Sequence, residues 1–259
     1  MSFFNKNGIR YFSFDIFPRM LTQAVITRQG GVSPSPWDSL NVGGTVGDGV
    51  ERVRENRARS FAALGRTLAS LFDVWQVHSA DAVYADAPRP VHEDYHKADI
   101  ILTDKPDVTL YMRFADCVPI LFHDPKKGVV GITHAGWMGT VRGASAATVK
   151  AMQEHYGSKP KDILAAIGPS IGVDHYEVGA DVISQVEQAF GPDAKRLVEL
   201  RDDKTYLDLW AANRHQLEKS GVEQIEVAGL CTACHLDDWY SHRAEKGRTG
   251  RFGALIALA

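Results

Sequence analysis

Three short apolar stretches each carry one side chain able to ligate a metal: Gln76-Val77-His78, Ala115-Asp116-Cys117-Val118-Pro119 and Thr133-His134-Ala135-Gly136-Trp137. Two imidazoles and one thiolate fill three positions of tetrahedral zinc and leave the fourth open, as catalytic rather than fold-stapling sites do. His78, Cys117 and His134 are therefore expected on one zinc ion, with copper the alternative metal because it outranks zinc in the general affinity order. Asp116, beside a ligand, is a candidate proton shuttle or a group that orients its neighbour. Taken singly, such residues are more often satisfied core histidines and a small core thiol. A further reading makes Cys117 a nucleophile activated by His134 or His78.

The elements that must position these groups are mixed. Residues 23–27 read as a strand running into the Gly30-Gly31 loop, and 50–64 as a helix stopped by Gly65. Residues 108–114 and 118–123 are expected as extended segments, so that Cys117 falls at a bend. A hairpin turn at 124–128 leads into 129–133, which places His134 at a strand end. Small and apolar residues from 141 to 152 predict a helix packed on a sheet, its N-terminus beside the metal. Strands at 163–167, 225–229 and 252–258 and helices at 181–190 and 207–219 complete an α+β pattern: one domain over residues 1–259, mixed sheets flanked by helices.

Bulk composition narrows the function. With 29 basic and 32 acidic residues the charges nearly cancel, so no global field draws the chain to nucleic acid or anionic membrane. No apolar run approaches the roughly 20 residues of a membrane span. Three cysteines are too few for a disulfide framework, and with no export signal evident the expected setting is a reducing cytoplasm. The expected partner is a small molecule, and the chain a monomer or homodimer.

The three metal motifs, with Thr27-Arg28-Gln29-Gly30-Gly31-Val32-Ser33, Leu40-Asn41-Val42-Gly43, Glu55-Asn56-Arg57, Ile167-Gly168-Pro169-Ser170-Ile171-Gly172 and Thr249-Gly250-Arg251, occur in one order across nearly the whole chain. In this the sequence resembles the laccase-domain family, also called YfiH-like proteins and known as purine nucleoside phosphorylases or polyphenol oxidases. The resemblance implies the YfiH-like fold and a catalytic zinc on His78, Cys117 and His134. It also implies phosphorolysis of adenosine, inosine, guanosine and methylthioadenosine, with hydrolytic deamination of adenosine. Alternatives are amide hydrolysis of peptidoglycan precursors (UDP-muramoyl amino acids), copper-dependent polyphenol oxidation, or a zinc-stapled binding module completed by His175 or Cys234. The chain departs from the family at Met138, commonly a basic residue, and at His175, often a cysteine.

Phosphorolysis needs an anion cradle, and arginine binds phosphate oxygens in bidentate fashion. Arg28, Arg57 and the helix terminus at Gly139 are the candidates, with Arg142 replacing the basic residue lost at Met138. Asn41 and Gln76 suit purine or ribose edges. Arg243 and Arg251 are expected to pair with carboxylates for structure. Three motif matches are set aside: His92-Glu93-Asp94-Tyr95-His96 as a surface loop, Cys231-Thr232-Ala233-Cys234-His235 as a chance haem-like spacing or secondary metal site, and Gly43 to Gly49 as a flexible turn. Ten histidines without one His-x-His pair argue against four coppers.

Overall fold

The computed structural model describes residues 1–90 and 93–259. It is α+β, built on two six-stranded mixed sheets. In the first, Ser2–Lys6, Ile9–Ser13, Thr22–Ile26, Phe252–Ala257, Thr109–Phe114 and Leu71–Phe72 lie side by side. The second runs Gln224–Val227, Leu164–Ile167, Val118–Asp124, Val129–Ala135, Ile100–Thr103 and Ala82–Tyr84. A separate three-stranded sheet joins Glu177–Val178, Lys204–Leu207 and Val198–Arg201.

Side chains alternate across a strand, and here both faces of the central strands are apolar. Leu110, Met112, Ala254 and Ile256 of the first sheet pack against Ile101, Leu121, Val130 and Ile132 of the second. On the far face of the first sheet, Tyr111 and Leu255 meet Phe61 and Ala63 of the helix Val50–Ala63. Behind the second sheet, Ile120, Phe122 and Ala135 pack on Val149, Met152, Leu209 and Ala212, from the helices Ala144–Tyr156 and Leu209–Lys219. The result is a helix–sheet–sheet–helix stack with one core between the sheets.

The sheets are joined by a three-residue crossing, Ala115-Asp116-Cys117, between Thr109–Phe114 of the first and Val118–Asp124 of the second. Pairing of Phe252 with Phe114 and of Val118 with Ala135 fixes the register on either side. His134 shares the face of Val130 and Ile132, toward the first sheet.

Most expected elements fall within a residue or two of their sequence-read bounds, and Asp124 Oδ1 accepts the amides of Lys126 and Lys127 to make the predicted turn. The helix expected over 141–152 is different. A five-residue helix, Trp137–Val141, starts immediately after the metal motif, Gly143 breaks it at φ 79°, and Ala144–Tyr156 follows as a separate helix. The N-terminus beside the metal motif thus belongs to the short helix, and the cradle expected at Gly139 is absent because that residue is already in its interior. His92 lies outside the described residues, while His96 stacks on Phe72.

The loops around Gly30 and Asn41 are tied to the helix Val50–Ala63 by Asn56, which is fully buried. Its amide donates to Ser33 Oγ at 2.8 Å and the Asn41 carbonyl at 2.8 Å, and its oxygen accepts the Val32 amide at 2.9 Å. Leaving buried partners without a hydrogen bond costs about 1–3 kcal/mol. Asn56→Ala should therefore lower folding stability by about 2–3 kcal/mol. An unchanged urea midpoint would contradict the role of this knot.

Candidate metal centre and cleft

At the end of the inter-sheet core, His78, Cys117 and His134 come together with one ligand atom each, all within 4.8 Å of one another. Cys117 Sγ lies 3.9 Å from His78 Nε2, and the two imidazole centroids are 4.9 Å apart. A tetrahedral zinc with bonds of about 2.3 Å to sulfur and 2.0–2.1 Å to nitrogen separates such atoms by about 3.5 Å. The residues present therefore fit a zinc-sized ion with only a small inward movement. Gly136 stands against them: a Cβ there would lie 2.7 Å from Cys117 Sγ and 3.1 Å from His78 Cδ2. Any side chain at 136 would crowd both ligands.

The residue that organises the centre is Asp99, which sequence reading missed. It is fully buried at the head of Ile100–Thr103. Its Oδ1 accepts from His134 Nδ1 at 2.7 Å, which turns His134 Nε2 toward the ion position. Oδ2 accepts the amides of Val77 at 3.0 Å and Ser79 at 2.7 Å, so the same carboxylate holds the loop on either side of His78. Arg142 closes that loop, donating to the His78 carbonyl at 2.7 Å. The available signal was a lone aspartate opening an apolar strand, where a charge is retained only if paired.

Burial pushes the Cys117 thiol up, but the charge and hydrogen bond of His134, joined by His78, overcome it and bring it down to about 6. Burial pushes the His134 imidazole down, but the Cys117 thiolate and Asp99 outweigh it and raise it to about 9. Burial also works against the Asp99 carboxylate, yet the bonds from His134, Ser79 and Val77 hold it below the usual range. Without metal, the triad is therefore a thiolate–imidazolium pair near neutral pH, ready to exchange its proton for an ion.

The ligands open onto a cleft of about 690 Å³. Its walls carry four arginines, Arg57, Arg113, Arg243 and Arg251, and four aromatic residues, Trp75, Tyr95, Trp137 and Tyr176. The fully buried Asp73 compensates the near cluster, 3.3 Å from Arg113 and 3.8 Å from Arg57. Arg243 lies over the Tyr176 ring, 5.1 Å from its centroid. Arg251 turns back to the carbonyl of Gly250 at 2.8 Å and packs against Gly43, where a Cβ would come 2.7 Å from Arg251 Cγ.

Of the expected substrate contacts, Arg57 and Gln76 line the cleft. Gln76 is engaged at both ends of its amide by Arg113, and Arg57 Nε donates to the Val42 carbonyl. Arg28 lies elsewhere: its guanidinium stacks on Tyr240 and binds Glu245 and the carbonyls of Asp38 and Leu236. Asn41 is fully buried and bonds Gly43, Asp48 and the Arg251 amide, so it shapes the cleft wall from behind. Arg142 acts on the His78 loop and is not in the cleft lining. Asp116, at φ 82°, accepts from Thr232 Oγ1 at 2.7 Å and the Arg243 amide at 2.6 Å. With both oxygens committed, its geometry suits orientation of Cys117 better than proton transfer. Arg243 and Arg251, expected to serve structure by pairing with carboxylates, line the cleft instead. Gly43, Gly44 and Thr45, expected in a free turn, are part of its rim. His175 and Cys234 belong to a different cluster, so neither completes the first.

Residues 22–259 match the family model described as multi-copper polyphenol oxidoreductase laccase. A protein of Deinococcus radiodurans named purine nucleoside phosphorylase is 41% identical over 235 residues, which is 91% of this chain and 88% of that one. Bacillus subtilis purine nucleoside phosphorylase YlmD is 39% identical over 90% of this chain and 86% of its own. Among solved structures, YlmD from Geobacillus stearothermophilus superposes with a TM-score of 0.92 at 34% identity, covering 99% of this chain and 98% of that one. A Bacillus licheniformis protein, YfiH, gives the same TM-score at 32% identity, covering 99% of each chain.

In metal-free protein, alkylation of Cys117, followed on its own peptide by mass spectrometry, should stay fast from pH 8 down to about 6 and slow below it. His134→Ala should move the profile up toward an ordinary thiol. Identical profiles in the two proteins would contradict the thiolate–imidazolium pairing.

Proposed function

The chain belongs to the multi-copper polyphenol oxidoreductase laccase family, and from that premise we propose that it is a zinc-dependent enzyme of purine nucleosides. The reactions we assign are phosphorolysis of adenosine, inosine, guanosine and methylthioadenosine, and hydrolytic deamination of adenosine. The names of the relatives support the first. The observation that carries the reading is that one cleft joins an open three-ligand metal position to four arginines and four aromatic rings. Residues 1–259 act in it as one catalytic unit, since elements of both large sheets meet at the cleft.

His78, Cys117 and His134 would hold the ion, which, when bound, supplies Lewis acidity at the position the protein leaves open. Asp99 holds His134 through Nδ1, so that Nε2 is the nitrogen that gives up its proton to the ion. Arg57, Arg113, Arg243 and Arg251 supply charge for a phosphate, whose oxygen attacks the anomeric carbon of ribose. The glycosidic bond breaks toward the base, which leaves with the electron pair and takes up a proton. Trp75, Tyr95, Trp137 and Tyr176 offer flat apolar faces for the purine. In deamination, water replaces the amino group of adenosine and ammonia leaves.

The family model's name points to multi-copper oxidation, but the described residues group into only two candidate ion clusters, with two histidines in the first and one in the second. Four coppers need more imidazoles than that. Copper bound at the thiolate site would account for oxidase activity without a multi-copper centre.

Zinc-loaded wild type and Cys117→Ala should be incubated with adenosine, with and without phosphate, and the products separated by chromatography. The wild type is expected to yield adenine and ribose phosphate only with phosphate, and inosine in either case. Cys117→Ala should lose more than about 100-fold of the turnover, beyond the 10–100-fold typical of outer-shell losses. No conversion of adenosine by zinc-loaded wild type would overturn the proposal.

A further inference from the structure

A second group of metal-competent side chains stands outside the cleft. Asp174 and His175 meet Cys231 and Cys234, and the four ligand atoms lie within 4.8 Å of one another. Cys234 Sγ is 3.5 Å and Cys231 Sγ 3.7 Å from His175 Nδ1. Asp174 Oδ2 is 3.0 Å from Cys234 Sγ and 3.0 Å from His175 Nδ1. Zinc bonds of about 2.3 Å to sulfur and 2.0–2.1 Å to nitrogen or oxygen set tetrahedral edges of about 3.5 Å between sulfur and nitrogen and about 3.3 Å between nitrogen and oxygen. The sulfur–nitrogen edges already match, and the edges to Asp174 are drawn slightly shorter by hydrogen bonding. The Gly172 amide donates to Cys231 Sγ at 3.2 Å, the outer support that a zinc thiolate needs. The two cysteines sit at the two-residue spacing common in structural zinc sites.

We propose that Asp174, His175, Cys231 and Cys234 form a second ion site that holds zinc with four protein ligands. With no position left open, its role is structural. It ties the segment that delivers Tyr176 to the cleft to the segment from which Thr232 reaches Asp116. The bridge between Ser170 and Cys231, and the Thr232 amide donating to the Ser170 carbonyl at 3.0 Å, join the same segments by backbone. The ion would lock from the outside a wall that these hydrogen bonds hold from within.

The test is metal content, which is independent of any nucleoside activity. Full-length protein purified under reducing conditions with zinc should carry two zinc ions per chain. Cys117→Ala, Cys231→Ser and Cys234→Ser should each carry one, and Cys117→Ala combined with Cys234→Ser none. Circular dichroism verifies that each variant folds, and cobalt(II) provides a second readout. Loaded into Cys117→Ala, it should show thiolate-to-cobalt charge-transfer absorption, for which only Cys231 and Cys234 remain. Zinc content that Cys231→Ser and Cys234→Ser leave at the wild-type value, a Cys231–Cys234 disulfide in the reduced protein, or no such absorption would overturn the proposal.

Discussion

A carboxylate sealed from water must be matched by donors or a positive charge, because its desolvation is otherwise too costly to sustain. Asp99 meets that demand with His134 on one oxygen and the amides of Val77 and Ser79 on the other. These are the groups whose placement decides whether a metal can bind. The need to satisfy one buried charge thereby fixes an imidazole, from the strand Val129–Ala135, and a loop remote in sequence that carries His78. The cost of burying Asp99 is turned into preorganisation of the site.

The second constraint is the short passage between the two large sheets. Three residues must leave the first sheet and enter the second, and Asp116 adopts a left-handed backbone to do so. His78 is left-handed as well, at φ 60°. Such conformations in non-glycine residues cost of order 1–3 kcal/mol and persist where surrounding contacts over-determine them. Here the contacts are visible: Thr232 and the Arg243 amide on Asp116, and Asp99 and Arg142 around His78. The strain is thus held at His78 and beside Cys117, in the candidate metal site, and the sheets and their shared core provide the rigidity that resists its release.

The cluster of His78, Cys117 and His134 was legible because its three members sat in short apolar motifs, and apolar runs bounded by turn residues exposed the central strands. Arg28 and Asn41 were misplaced because a loop motif discloses that a polar residue is needed without disclosing whether it faces substrate or its own backbone. Both serve the backbone. Arg243 and Arg251 were undervalued for the complementary reason: they come from the far end of the chain, and only sheet pairing of Phe252–Ala257 with Thr109–Phe114 brings that end to the cleft. The split at Gly143 escaped notice because small residues on both sides are compatible with one continuous helix. Asp99 left only its position before an apolar strand as a trace.

The central claim, that Asp99 creates the metal centre from a distance of one bond shell, is tested most directly by zinc affinity. Competition with a chelator should be measured for wild type and Asp99→Asn, each in a Cys231→Ser/Cys234→Ser background, with circular dichroism to verify folding. Zinc bound 10–100-fold more weakly by the folded Asp99→Asn protein is the predicted result. Equal affinity in the two proteins would contradict the account.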